Sequence, residues 1–203
     1  MLAYFLREYK GGNPLILAIP RGAVPMGKVI AELSGGELDV VLVHKLSAPF
    51  SAELAIGAID EAGWSYIAPY AEEYGGSDTY LQKEKSRQLQ VLMKRRAQYT
   101  PFKPPIDPKG RIAIVVDDGL ATGATMIAAL HATRVRHPAE LVCAAPVAAS
   151  DSLELITPLA DKILCLSTPP YFGTVGNFYQ SFPQVDDDEV VRILSQNENG
   201  KGG

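Results

Sequence analysis

Short apolar runs alternate with stretches of helical spacing along most of the chain. Leu15 to Ile19 reads as a buried strand and Val24 to Leu33 as the following helix, closed by Ser34-Gly35-Gly36. Asp39 to His44 reads as a second strand. Ile56–Asp60 and Tyr66–Ala68 form a candidate hairpin around Glu61-Ala62-Gly63. Residues 78–99 are charged and helix-forming, with Asp78 as N-cap and an apolar face of Leu81, Leu89, Leu92 and Met93. A proline-rich connector, 101–108, leads to the clearest strand, Arg111 to Val116. Helix 124–135, strand 140–145, helix 150–160 and strand 162–166 complete the alternation. Strands that alternate with helices predict an open, twisted parallel sheet with helices on both faces, an α/β fold. The 113–118 strand is expected at its centre, with a helical insertion before it. The predicted organisation is one domain over 1–196, with 70–108 as an insertion or mobile region and 197–203 as a flexible tail.

Composition narrows the class. The net charge of −4 argues against a dedicated nucleic-acid binder, whose footprint is usually basic. Cys143 and Cys165, the two cysteines, lie in apolar runs and read as small core residues. Without a disulfide framework, a secretory signal or a membrane-length apolar run, the expected compartment is the cytoplasm.

The chemistry concentrates at Ala113–Thr125, where an apolar strand runs into Asp117-Asp118 and then into Gly119-Leu120-Ala121-Thr122-Gly123-Ala124-Thr125. A buried strand ends in a rigid platform, and ligands of parallel sheets gather at such ends. Small loop residues let backbone N–H groups approach a phosphate, Thr122 and Thr125 add hydroxyl donors, and the next helix offers its N-terminus. Two adjacent carboxylates beside a phosphate call for something between them, and a ribose with Mg²⁺ would serve. A Walker-type loop is excluded, since no Gly-Lys-[Ser/Thr] follows.

This stretch resembles the phosphoribosyl pyrophosphate (PRPP) motif of type I phosphoribosyltransferases: four apolar residues, two acids, and seven small or hydroxyl residues. The resemblance implies that Asp117 and Asp118 grip the ribose, directly or through metal-bound water, and that loop 119–125 holds the 5-phosphate. Pro20-Arg21-Gly22-Ala23 resembles the family's pyrophosphate loop. Lys45 resembles its basic residue near the pyrophosphate, while His44 should point the other way and pack. The segment from Pro20 to Asp60 is also similar to a subgroup of stand-alone prokaryotic phosphoribosyltransferases. Residues 70–100 occupy the place of the family's mobile catalytic loop; most of their charges read as the solvated outer face of a helix, with Lys83, Lys85 and Arg87 as the candidate phosphate contacts. Phe172, or alternatively Tyr171, stands where an aromatic ring stacks on the base. Asp186 to Glu189 reads as the start of the last helix.

The resemblance implies Mg²⁺-dependent transfer of the phosphoribosyl group to a nucleobase-like acceptor, a purine foremost, by a homodimer. Arg21, Lys45, Asp117 and Asp118 would carry the chemistry. The base stays open. Ala121 stands where 6-oxopurine enzymes carry an aspartate, and DDGLATGATM is nearest to adenine enzymes, yet the C-terminal region looks like the 6-oxopurine group. The alternative is a PRPP- or nucleotide-sensing regulator without catalysis.

Overall fold

The computed structural model describes residues 1–196, so the tail expected at 197–203 lies outside the described residues. In chain order the elements are α1 (Leu2–Phe5), β1 (Leu15–Ala18), α2 (Val24–Ser34), β2 (Glu37–Val40), β3 (Val43–Ala48), β4 (Ser51–Asp60), β5 (Ser65–Ile67), α3 (Asp78–Tyr99), β6 (Ile112–Val116), α4 (Ala124–Arg134), β7 (Glu140–Val147), α5 (Ser150–Ile156), β8 (Lys162–Ser167) and α6 (Asp187–Gln196). Five strands form a parallel sheet in the order β2-β1-β6-β7-β8, with β6 in the middle.

Strand side chains alternate between faces, and the core divides accordingly. Ile16, Ala18, Leu38, Ile114, Val116, Val142 and Ala144 join a cluster with α1, α2, α3 and α6. Leu15, Leu17, Ala113, Val115, Leu141, Cys143 and Ala145 join another with α4 and α5. Helices therefore cover both faces, as the alternation predicts. Cys143 is fully buried, and burial pushes its thiol up to about 12, which suits a packing residue. Cys165 is only partly buried.

The expected 39–44 strand is two pieces of different sheets. β2 pairs parallel with β1, whereas β3 pairs antiparallel with β4, and β4 with β5. The apolar run Val40-Val41-Leu42-Val43 is buried throughout, so no polar residue marks the crossing. At α3 the side chain of Ser77, not Asp78, accepts the N–H of Tyr80. Both residue types suit that position. The face that α3 buries carries Leu81, Glu84, Gln88, Leu92 and Tyr99, while Met93 is exposed. Trp64, in the β4–β5 turn, stacks on His131 of α4 with ring centroids 3.7 Å apart. Among the described residues no helix is long and apolar enough to cross a membrane.

Candidate active site

β6 delivers Asp117 and Asp118 at the C-terminal edge of the sheet, and the loop that follows is tied down on several sides. Leu120 N–H donates to the Val147 carbonyl (2.9 Å), Ala149 N–H donates to the Leu120 carbonyl (2.9 Å), and the Ser152 hydroxyl donates to the Ala121 carbonyl (2.6 Å). Gly123 caps α4 at φ +74, a left-handed conformation that glycine adopts freely. A Cβ there would also lie 3.1 Å from Ile156 Cδ1. Leu120 and Ala124 are core side chains, so they can offer a ligand only backbone, and the Leu120 N–H is already engaged. The Ala124 N–H points toward Thr122 Oγ1 at 3.5 Å.

Asp117 is buried. One carboxylate oxygen accepts the Asp118 N–H (2.9 Å) and the other the Thr125 hydroxyl (3.3 Å). Burial and then the Asp118 charge hold its carboxyl well above the ordinary range, against the pull of those bonds. Burial likewise raises Asp118. The Asp118 carboxylate lies so close to Gly22 that a Cβ there would fall 1.8 Å from Oδ2. The absence of a side chain at 22 is thus what lets the β1–α2 corner meet the acid pair. The peptide between Pro20 and Arg21 is cis. Tyr179 closes the other side by donating its hydroxyl to the Asp118 carbonyl (2.6 Å). Burial and the two aspartates push its phenol up to about 12.

In front of the loop lies a cavity of about 740 Å³, whose walls include Lys45, Glu53, Gly119, Ala121, Thr122, Gly123, Thr125, Val175 and Phe182. Of the residues expected at the site, Lys45 and most of the loop therefore share one cavity. Arg21, Gly22, Asp117 and Asp118 sit beside it rather than on its walls. Lys45 Nζ is 3.8 Å from the exposed carboxylate of Glu53. His44 is half-buried, its Nδ1 is 3.1 Å from the Lys45 carbonyl, and burial lowers its pKa.

Two placements differ from expectation. Phe172 lines a neighbouring pocket with Thr122, Ser150 and Pro170, and packs on Phe178 at 5.1 Å. Tyr171 is 90% exposed. The ring on the main cavity is Phe182, braced by Tyr179 at 4.9 Å. Nor does α3 reach this cavity. The wall from the segment between β2 and β6 is built by residues 45–55 of the β3–β4 hairpin. α3 is tied to the β4–β5 turn, with Arg96 clamped bidentate on Glu61 (2.6 and 2.7 Å), while Arg87 pairs within the helix on Glu84 (2.9 Å). Phe182 and Glu53 were not singled out from the sequence.

Comparison with known proteins adds the family. A model described as phosphoribosyl transferase domain matches residues 1–174. Two Mycobacterium tuberculosis proteins, from strains CDC 1551 and H37Rv and each named "Putative phosphoribosyl transferase", are 36% identical over 196 residues. That match covers 96% of this chain and 44% of theirs, so the chain spans under half the length of these relatives. The crystal structure of TT1426 from Thermus thermophilus aligns with a TM-score of 0.77 at 39% identity, covering 97% of this chain and 95% of that one. With its parallel sheet, its acid pair and the loop beneath α4 all in place, the chain belongs to the phosphoribosyl transferase domain family.

Proposed function

We propose that the chain transfers the 5-phosphoribosyl group of PRPP to a nitrogenous base, a purine foremost, and releases pyrophosphate. One observation carries the reading: a tied-down small-residue loop, a lysine and an aromatic ring face one another across a single cavity. Loop 119–125 would hold the 5-phosphate through free N–H groups, the Thr122 and Thr125 hydroxyls and the N-terminus of α4. Asp117 and Asp118 would bind the ribose hydroxyls and favour positive charge as C1 loses its leaving group. Lys45 and Arg21 would hold the departing pyrophosphate. Phe182 would stack on the base. Much of the binding energy of the 5-phosphate would go into orienting C1.

The residues fit a Mg²⁺ requirement. Among the described residues no group of three or more His, Cys, Asp or Glu could cage a metal. Magnesium commonly takes one or two carboxylates, with waters and substrate phosphates completing its shell. Asp117 and Asp118, through the ribose or through water, are the side chains that would face it, and the ion would neutralise pyrophosphate charge. The sensing alternative needs a free basic surface. Of Lys94-Arg95-Arg96, the two arginines are occupied by Asp187 and Glu61, which favours catalysis. Cytoplasmic location and homodimerisation remain part of the proposal.

The test is a screen of adenine, hypoxanthine, guanine, xanthine, uracil and orotate with PRPP and Mg²⁺, read as pyrophosphate release. A purine should give turnover. PRPP binding without turnover on any base, together with a shifted RNA or DNA probe, would replace the enzyme by a sensor.

A further inference from the structure

Residues beyond 174 lie outside the family match, yet α6 reaches back to the β1–α2 corner. Asp186 already serves the helix start, its carboxylate accepting the Glu189 N–H at 2.7 Å. Asp187 is thereby free to face inward. One of its oxygens, Oδ1, is held by the Tyr99 hydroxyl and by Arg95 Nε at 3.2 Å. The other, Oδ2, lies 3.6 Å from Arg21 Nη1. The holders are anchored: Tyr99 is fully buried and the Arg95 side chain is 15% exposed. The helix is fixed by its buried Val190, Ile193 and Leu194, and Lys28 of α2 donates to Gln196 at 2.8 Å. Arg21 is the looser member, on a loop and with 30% of its side chain exposed.

We infer that Asp187 is a positioning residue that aims the Arg21 guanidinium at the pyrophosphate half of the site, with Tyr99 and Arg95 holding Asp187 in turn. The inference rests on the phosphoribosyl-transfer reading and deepens it. A long arginine on a loop has many rotamers to lose when it binds an anion, and a carboxylate that restricts it beforehand lowers that cost. Charge permits this role. Arg21 and Arg95 share one carboxylate, so within this trio two positive charges face one negative, and Asp187 by itself does not cancel the attraction for a polyanion. Arg21 can keep one edge of its fork on Asp187 while the other meets a phosphate.

The test uses the full chain with inorganic pyrophosphate and Mg²⁺ as one probe and ribose 5-phosphate as the other, by isothermal titration. Asp187→Asn should weaken pyrophosphate binding about tenfold, the scale of one charge-assisted contact, and leave ribose 5-phosphate within about twofold, since loop 119–125 is held by other elements. Asp187→Asn in an Arg21→Ala background should add nothing, because its effect runs through Arg21. Tyr99→Phe, which keeps the buried ring, should act in the same direction more weakly. Tighter pyrophosphate binding by Asp187→Asn would make Asp187 a competing internal anion and overturn the proposal. Equal losses on both probes, or additive losses with Arg21→Ala, would show a general structural role and also overturn it. If Arg21→Ala binds pyrophosphate like the parent, the assignment of Arg21 itself falls. If Arg21→Ala is impaired and Asp187→Asn is not, only the Asp187 proposal falls.

Discussion

Gly22→Ala probes the junction on which the site depends. The added Cβ would lie 1.8 Å from Asp118 Oδ2 and 2.9 Å from its Cγ, far inside contact distance. Asp118 is a short side chain next to buried Asp117, so it cannot swing away as the end of a lysine would. Either its carboxylate leaves its rotamer or the 20–23 loop moves. Overpacking of this kind costs about 1–3 kcal/mol. For a chain of this size each kcal/mol lowers Tm by about 2–4 °C, so a drop of several degrees is expected by scanning fluorimetry. Displacing the acid pair should also weaken PRPP binding about 10–100-fold, the value of one hydrogen bond to a charged group. A second substitution sharpens the test. In an Asp118→Ala background the obstacle is gone, so Gly22→Ala should cost almost no further stability, while PRPP affinity stays low. A Gly22→Ala protein that melts and binds like the parent, or a thermal penalty that persists without the Asp118 carboxylate, would refute the steric reasoning.

Other outcomes follow from the same geometry. Burial and the Asp118 charge raise the Asp117 carboxyl, so its contribution to stability is present at low pH and lost as pH rises through the raised value; ligand-free Asp117→Asn should melt above the parent near neutral pH, by a margin that shrinks on acidification, and identical melting at every pH would contradict this. Gly123→Val forces a branched residue into φ +74 against Ile156 and should damage ribose 5-phosphate binding and stability more than Thr125→Ala, which removes one hydroxyl worth about 0.5–1.5 kcal/mol; equal small effects would speak against the cradle. Phe182→Ala should raise KM for the base by about tenfold or more, on the scale of base–aromatic stacking, whereas Phe172→Ala should change it little; the reverse order would restore Phe172 as the stacking ring.

The parts legible in the sequence are those where local chemistry and tertiary role coincide. In buried β6, the paired acids and the glycine-bounded loop, the apolar run and the adjacent charges point to one candidate site at the C-terminal edge of the sheet. The break between β2 and β3 was hidden because Val41 and Leu42 continue the apolar run while the chain changes sheets, so only pairing partners reveal it. Phe182 was hidden among several aromatics after residue 170. Which ring faces the cavity depends on the path through the 3-10 turn at Val175–Phe178, not on spacing. The inward turn of Asp187 could not be told from its three acidic neighbours, which share its preference for a helix start.

The ties on loop 119–125 bear on the order of events in time. Val147, Ala149 and Ser152 fix the backbone around Leu120 and Ala121, so under the proposed function this stretch need not rearrange before a ligand arrives. Capture of a 5-phosphate by this loop is then expected to be a simple encounter, its observed rate rising in proportion to concentration without the plateau of a gated step. A plateau would instead point to a first-order closure, and the β3–β4 hairpin that carries Lys45 and the almost wholly exposed Phe50 is the first wall to test by substitution.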